Sequence, residues 1–117
     1  MGHPIVHFEI GCRDRARTGD FYSRLFDWNL QHAEAADFID TKNGIGGHIT
    51  APGHEPHNYV TVYIAMDDVQ AYLDKAVALG GTALLPVITI PTGQFSWFAD
   101  PKGNVIGLFK EKQGPQP

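Results

Sequence analysis

The chain has 117 residues, which suffices for one compact domain but not for two domains of ordinary size. Hydrophobic residues make up 43% of it, enough apolar side chains for a self-sufficient core. The formal net charge is -4 and the lysines and arginines form no basic patch, so nucleic acid and anionic membranes are poor expectations for a partner.

Cysteine content and hydropathy indicate the compartment. Cys12 is the only thiol, so no intramolecular disulfide can form. The first residues lack the charged, apolar and small-residue regions of a secretory signal. Every apolar run is interrupted by charge, glycine or proline well before the ~18 residues that a membrane-spanning helix requires. We therefore expect a soluble, cytoplasmic protein.

The first predicted element is a strand over residues 5–10, where side chains alternate with a period of two. The face that we expect to be packed carries Val6, Phe8 and Ile10. The opposite face carries Ile5, His7 and Glu9. A helix is predicted next, over residues 15–26, with Asp14 before it and Asp27 as its end, because aspartate tolerates the left-handed conformation better than most residues.

Three short antiparallel strands are then predicted, over residues 28–33, 37–42 and 45–50. Asn43-Gly44 is the dipeptide that a two-residue hairpin turn prefers, so we expect it to join the second and third of them. Residues 51–58 contain two prolines and show no periodicity, which is typical of a linker.

The same pattern then begins again. A strand is predicted over residues 59–64, and Asp67-Asp68 precedes a predicted helix over 69–79 that Gly80-Gly81 ends. Three more strands are predicted, over residues 82–90, 94–99 and 104–109. The turn before the last strand, Asp100-Pro101-Lys102-Gly103, has proline and glycine where a type I turn favours them.

A strand, a helix and three strands therefore occur twice, in modules over about 4–50 and 59–112 joined by the linker 51–58. This duplication predicts a single α+β domain, residues 1–117, built from two βαβββ modules. Each module packs one strand face on its own helix, so we expect the remaining faces to line a cleft. The residues expected along this cleft are Ile5, His7, Glu9, Tyr59, Thr61 and Tyr63.

Two motifs are distinctive: Phe21-Tyr22 before Leu25-Phe26-Asp27-Trp28, and the turn Asp100-Pro101-Lys102-Gly103-Asn104. Together with segments 5–10 and 59–68 and with Leu79-Gly80-Gly81, they extend over nearly the whole chain. On these residues the chain resembles the vicinal oxygen chelate (VOC) superfamily, which includes glyoxalase I, extradiol dioxygenases and bleomycin-resistance proteins. One departure is Asp27, where the superfamily usually has glycine.

The resemblance implies two βαβββ modules that form a cupped mixed sheet, with a divalent ion held by His and Glu in the metal enzymes. The ligand positions fall on His7, Thr61 and Gly107. Because threonine and glycine provide no comparable donor, we expect a member without the complete metal site and without a cofactor. The alternative is a rearranged divalent-metal site through His7, Glu9 and His48.

His7 and Glu9 are the candidate catalytic residues. Histidine titrates near neutral pH, and an adjacent carboxylate raises its pKa. A structural role is open for both, as a hydrogen-bonded imidazole and as a salt-bridged carboxylate. The candidate ligand-binding residues are polar or aromatic and are expected at the cleft: His48, Tyr59, Thr61, Tyr63 and Trp97. The aromatic ones could equally belong to the core or to a dimer interface.

For function, the resemblance to bleomycin-resistance-type proteins implies binding of a small organic molecule in the cleft, without turnover. The alternative is a VOC enzyme, namely a lactoylglutathione lyase-like lyase, an isomerase or a dioxygenase. In that case His7 or Glu9 would move a proton, with or without a divalent metal. A third possibility is a domain kept for protein contacts. Because members of the superfamily often pair, we also expect a homodimer.

Overall fold

The structure is a computed structural model that describes residues 2–112. Within this range the chain divides into two compact units: a first unit, Val6–Val62, and a second unit, residues 2–5 with 63–112. The described residues form two helices and nine strands, which confirms the predicted α+β class. Neither helix in this range has the length and apolar character needed to cross a lipid bilayer.

The first unit contains one helix and a four-stranded mixed sheet. Strand β1 runs parallel to β4, while β3 is antiparallel to both β2 and β4, so the sheet order is β2-β3-β4-β1. The order of elements is the predicted βαβββ. Their bounds are β1 (Ile5–Gly11), α1 (Arg15–Phe26), β2 (Asn29–His32), β3 (Asp37–Asp40) and β4 (Gly46–Thr50).

Helix α1 begins and ends where the sequence predicts. The Asp14 carboxylate accepts a hydrogen bond from the backbone N–H of Arg17 at 3.2 Å, and Asp27 lies in the left-handed region with φ 58°. The predicted packed face of β1 is confirmed for Phe8 and Ile10. They lie in the apolar core of this unit, which comprises Ile10, Cys12, Ile39 and Ile49 with Phe8, Tyr22, Trp28 and Leu30 packed against them.

The predicted two-residue turn at Asn43-Gly44 is wrong. Strands β3 and β4 are joined by five residues, 41–45, and the residue with positive φ is Lys42, at 73°. The Asp40 carboxylate accepts a hydrogen bond from the Lys42 N–H at 2.8 Å, and the Thr41 hydroxyl donates to the Ile45 carbonyl at 2.9 Å. These side-chain hydrogen bonds bend the chain before it reaches the Asn-Gly pair.

The second unit contains the other helix and a second mixed arrangement of strands. Strand β9 is parallel to β5 and antiparallel to β8, and β8 also pairs with β6 and β7. The boundary between the units falls within β5, after Val62. The bounds are β5 (Tyr59–Ala65), α2 (Val69–Ala78), β6 (Thr82–Ala83), β7 (Ile88–Ile90), β8 (Gly93–Ala99) and β9 (Val105–Glu111).

The single strand predicted over residues 82–90 is wrong, because this segment forms the two strands β6 and β7. The interruption contains Pro86, which has no N–H to donate to a β ladder. The Leu85 carbonyl, just before the proline, accepts a hydrogen bond from the fully buried Ser96 hydroxyl at 2.8 Å. The second unit therefore has one strand more than the predicted βαβββ pattern.

The predicted helix cap and the two predicted glycine positions of the second unit are confirmed. Asp68 caps α2 through a hydrogen bond from the Ala71 N–H at 3.0 Å, and Gly80 has the left-handed φ of 103° expected after a helix end. Gly103 has φ 93° in the turn before β9. Buried residues Val69, Leu73 and Leu108 form the core of this unit, with Met66, Tyr72, Val87 and Phe98 packed against them.

Candidate functional site

The pairing of β1 with β4 brings three candidate site residues together in the first unit. Glu9 lies opposite His48 in the parallel register, and His7 lies two residues before Glu9 on the same face of β1. His48 Nε2 is 3.2 Å from Glu9 Oε1, and His48 Nδ1 is 2.7 Å from His7 Nε2. The imidazole of His48 therefore stands between the carboxylate and the second imidazole.

Tyr59 extends this arrangement from the beginning of β5. Its hydroxyl donates a hydrogen bond to Glu9 Oε2. The phenol ring lies against Gly11, so that a Cβ atom at position 11 would clash with the ring. Hydrogen bonds thus join Tyr59 to Glu9 and His48 to His7, and a close ion-pair contact joins Glu9 to His48. We name these four residues the polar chain.

Protonation in the polar chain follows from burial and from neighbouring charge. Burial, and to a lesser extent the charge of His48, lowers the pKa of His7 to about 4, although Glu9 acts in the opposite direction. Burial and the hydrogen bond to Glu9 raise the pKa of Tyr59 well above its ordinary value. Near neutral pH, His7 is therefore a neutral imidazole and Tyr59 an intact phenol.

Two further candidates, Tyr63 and Trp97, lie together in the second unit. The indole N–H of Trp97 donates to the Tyr63 hydroxyl at 2.8 Å. Gly107 on β9 is the strand partner of both residues, and a Cβ at position 107 would clash with the Tyr63 ring. Phe95 packs edge-on against Tyr63, with 6.3 Å between ring centroids. The absence of a side chain at Gly107 makes room for this aromatic cluster.

From the sequence, Gly107 is distinguished only as an implied ligand position without a donor, and Gly11 is not distinguished at all. Gly11 allows Tyr59 to lie against β1, and Gly107 allows Tyr63 to lie against β9. The sequence pattern that could have identified Gly11 is its position two residues after Glu9, which places both on the same face of β1. Thr61, the remaining candidate, is buried on β5 with 3% of its surface exposed.

Comparison with known proteins identifies the family. A family model described as a glyoxalase-like domain matches residues 6–109. The chain belongs to the glyoxalase-like domain family. This match and the fold confirm the resemblance to the VOC superfamily.

The glyoxalase-like chain is similar to two kinds of longer curated protein. It is 30% identical over 113 residues to CFP32, a candidate glyoxylase of Mycobacterium tuberculosis, with 87% of this chain and 43% of that protein covered. It is 25% identical over 132 residues to the anthracycline biosynthesis protein DnrV of Streptomyces peucetius, with 89% and 46% covered. The chain thus spans less than half the length of these relatives.

Solved structures share the fold of this glyoxalase-like chain at low sequence identity. Methylmalonyl-CoA epimerase from Mycobacterium tuberculosis superposes with a TM-score of 0.74 and 12% identity, over 93% of this chain and 88% of that one. A glyoxalase/bleomycin resistance protein/dioxygenase superfamily member from Vibrio splendidus 12B01 gives 0.64 and 11%, over 95% and 100%.

The residues at the implied metal positions do not fit a shared divalent ion. One ring nitrogen of His48 faces His7 at 2.7 Å and the other faces Glu9 at 3.2 Å, while the implied positions Thr61 and Gly107 provide no imidazole or carboxylate. At position 107 the space for a side chain is filled by the Tyr63 ring. Across residues 2–112, no three His, Cys, Asp or Glu side chains are grouped so that they could hold a metal.

Proposed function

We propose that this glyoxalase-like domain binds a small organic molecule at the polar chain, through hydrogen bonds and without a divalent ion. The observation that supports this is the position of His48, whose Nδ1 is hydrogen-bonded to His7 Nε2 and whose Nε2 lies 3.2 Å from Glu9 Oε1. Such a series offers donors and acceptors in fixed directions, as ligand sites do with a few well-placed polar groups. The assignment of Thr61, Tyr63 and Trp97 to ligand binding stays a prediction.

Preorganisation supports the same proposal. Glu9 is only 6% exposed, yet each of its two carboxylate oxygens has a polar neighbour within the first unit: Oε2 accepts a hydrogen bond from Tyr59, and Oε1 lies 3.2 Å from His48 Nε2. A buried carboxylate that is held in this way keeps its orientation. A ligand that meets such a network requires little rearrangement of the protein, which favours affinity.

A screen with ¹⁵N-labelled protein tests ligand binding. We expect compounds from a library of neutral and anionic fragments to shift the backbone amide signals of His7, Glu9 and His48. His7→Ala should abolish these shifts, whereas the control His54→Ala, on the exposed linker, should retain them. A library that shifts no signal of the polar chain would contradict the proposal.

A zinc titration tests the second part of the proposal. Addition of Zn²⁺ followed by EDTA should leave the melting temperature unchanged, because no three His, Cys, Asp or Glu side chains among the described residues are grouped to hold an ion. Binding of one zinc ion per chain, lost in the His7→Ala variant, would show that the metal-free assignment is wrong.

Proton transfer is the second candidate function. It is favoured by the series Glu9–His48–His7, in which a neutral imidazole is connected to a carboxylate through a second imidazole. His7 could accept a proton from a bound substrate, and Glu9 would stabilise the positive charge that results. The names of CFP32 and of the epimerase are compatible with a lyase or isomerase of this kind. Turnover that disappears in both His7→Gln and Glu9→Gln, while ligand binding persists, distinguishes an enzyme from a binding protein.

A further inference from the structure

The outer face of helix α1 carries large apolar side chains in solvent. Phe21 is 58% exposed and Leu25, about one turn later, is 57% exposed. The buried residue of this helix is Gly19, and a Cβ atom there would meet the side chains of Leu30 and Ile49. Because Gly19 faces the core of the first unit, Phe21 and Leu25 lie on the side of α1 that faces away from this core.

A shallow groove runs along this outer face. It is lined by residues of α1 alone, namely Arg17, Asp20, Phe21, Arg24 and Leu25. Side chains four residues apart form ridges on a helix, so the row 17-21-25 forms one side of the groove and the row 20-24 forms the other. Helices pack by placing a ridge of one in the groove of the next, so this groove has the shape that receives a second helix.

The charges beside the groove alternate in sign along the chain, as Arg17, Asp20, Arg24 and Asp27. Suppose that two copies of α1 lie antiparallel about a two-fold axis beside position 22. Residue 20 of one copy then faces residue 24 of the other, and residue 17 faces residue 27, because the members of each pair are equally far from position 22. Every one of these contacts joins opposite charges. Parallel copies would instead bring each charge against its own duplicate.

The ion pairs that these groups form within one chain are exposed. Asp20 lies 3.6 Å from Arg24, and Asp27 lies 3.0 Å from Lys42, with more than half of the surface of both aspartate side chains in solvent. Such exposed pairs contribute little to stability in water. The aspartates can therefore contact an arginine of a second copy at little cost to the single chain.

We propose that the outer face of α1 is the contact surface between two copies of this chain, which pair with these helices antiparallel. Phe21 and Leu25 lie at its centre, where apolar burial provides affinity. The four alternating charges surround them and determine the orientation. The dimer is independent of the proposed function, because α1 packs on the face of β1 that carries Phe8 and Ile10, whereas His7 and Glu9 lie on the opposite face.

Sedimentation equilibrium of the wild-type chain, from micromolar to millimolar concentration, tests the dimer and its centre. We expect twice the mass of one chain, and we expect Phe21→Glu to raise the dissociation constant at least about tenfold. The matched control is Val77→Glu, which changes an exposed apolar residue of α2 and should leave the dissociation constant unchanged. A wild type that stays monomeric throughout overturns the proposal, as does an unchanged dissociation constant in Phe21→Glu.

Charge reversal tests the orientation by the same measurement. Asp20→Lys sets two cations opposite each other in the antiparallel dimer and should raise the dissociation constant at least about fivefold, whereas Asp20→Lys with Arg24→Glu should restore it. In a parallel dimer residue 20 faces its own copy, so the single reversal would replace one like-charged pair with another. An unchanged dissociation constant in Asp20→Lys overturns the antiparallel arrangement. Because both side chains are exposed, this comparison remains available if Phe21→Glu does not fold.

Discussion

Glu9 is a buried carboxylate, and individual polar neighbours offset the cost of burying it. An isolated charge in an apolar setting is costly, but here the Tyr59 hydroxyl donates a hydrogen bond to one oxygen and the His48 ring lies 3.2 Å from the other. Arg15 and His32 serve the buried Asp37 in a similar way, at 3.3 and 3.1 Å from its Oδ1. Both carboxylates lie in the first unit, but only Glu9 connects to a second histidine beyond its first partner.

Removal of the Tyr59 hydroxyl should destabilise the protein. We expect Tyr59→Phe to lower the free energy of unfolding by about 1–2 kcal/mol, since a hydrogen bond to a charged group is lost and one oxygen of Glu9 loses a donor. Urea denaturation at neutral pH measures the change. Tyr22→Phe is a suitable control because it removes a phenol hydroxyl from the same unit but outside the polar chain. Equal stability of Tyr59→Phe and the wild type would contradict the expected role of this hydrogen bond.

The site could be predicted from the sequence only as far as local periodicity reaches. His7 and Glu9 share a strand face because their side chains are two residues apart, and the alternation of β1 shows this directly. The approach of His48 depends on the register between β1 and β4, which are separated by a helix and two strands. The reach of Tyr59 depends in addition on the missing side chain of Gly11. The contacts of His48 and Tyr59 with Glu9 therefore cannot be predicted from the sequence pattern of any single strand.

At the scale of the elements, the two helices depend on aspartate caps. Asp68 accepts a hydrogen bond from the Ala71 N–H, while the exposed Asp67 precedes it outside the helix. We expect Asp68→Ala to lower the free energy of unfolding by about 1 kcal/mol and Asp67→Ala to change it by less than about 0.5 kcal/mol. Chemical denaturation of both variants measures the difference. Equal losses would show that the two carboxylates contribute through charge rather than capping.

The packing of β9 against β5 depends on Gly107. Because a Cβ atom there would overlap the Tyr63 ring, Gly107→Ala should lower the free energy of unfolding by about 1–3 kcal/mol. In a Tyr63→Ala background the same substitution should cost much less, and a double-mutant cycle measures this coupling. Gly44→Ala is the control, since its Cβ would meet only Thr41 Oγ1 at 3.6 Å. Additive effects of the two substitutions would contradict the predicted overlap.

Element boundaries could be predicted where the signals are local. The caps Asp14 and Asp68 and the turn glycine Gly103 act within a few residues, and the structure has them as predicted. Two predictions of element boundaries were wrong: the turn at Asn43-Gly44, where a side chain bonds to the backbone, and the single strand over residues 82–90, where pairing with β8 determines the strand limits. The Asp40 carboxylate moves the β3–β4 bend to Lys42, and both strands flanking Pro86 pair with β8.

At the scale of the whole molecule, the pKa of His7 links stability to pH. The pKa is lowered to about 4, mainly by burial and also by His48, whereas Glu9 raises it. Between about pH 6.5 and the lowered pKa, the unfolded chain binds a proton that the folded protein does not. The free energy of unfolding should therefore fall as the pH decreases through this range.

A variant without the His7 imidazole separates the contribution of His7 to the pH dependence of stability from that of the other titratable groups. His7→Gln should show a shallower loss of stability between about pH 6.5 and 4 than the wild type, in urea denaturation at several pH values. His54→Gln, which removes an exposed imidazole outside the polar chain, should follow the wild-type curve. Parallel curves for His7→Gln and the wild type would contradict the lowered pKa.

The duplicated pattern of strand, helix and strands was visible along the whole chain because each half repeats the same periods. The family match extends over residues 6–109 and so includes elements of both halves. The curated relatives are more than twice as long as the segment they share with this chain, so the present fold accounts for less than half of each.

The alignment of β1 with β4 has a consequence for changes in chain length. Displacement of β4 by a single position would turn His48 towards the side where Phe8 and Ile10 pack, and Glu9 would face a different neighbour. Insertions in the connection 41–45 can be absorbed outside the ladder, whereas one inserted residue between Gly46 and His48 would dismantle the polar chain. The main-chain pairing of β1 with β4 thus determines the distances between the side chains of Glu9, His48 and His7.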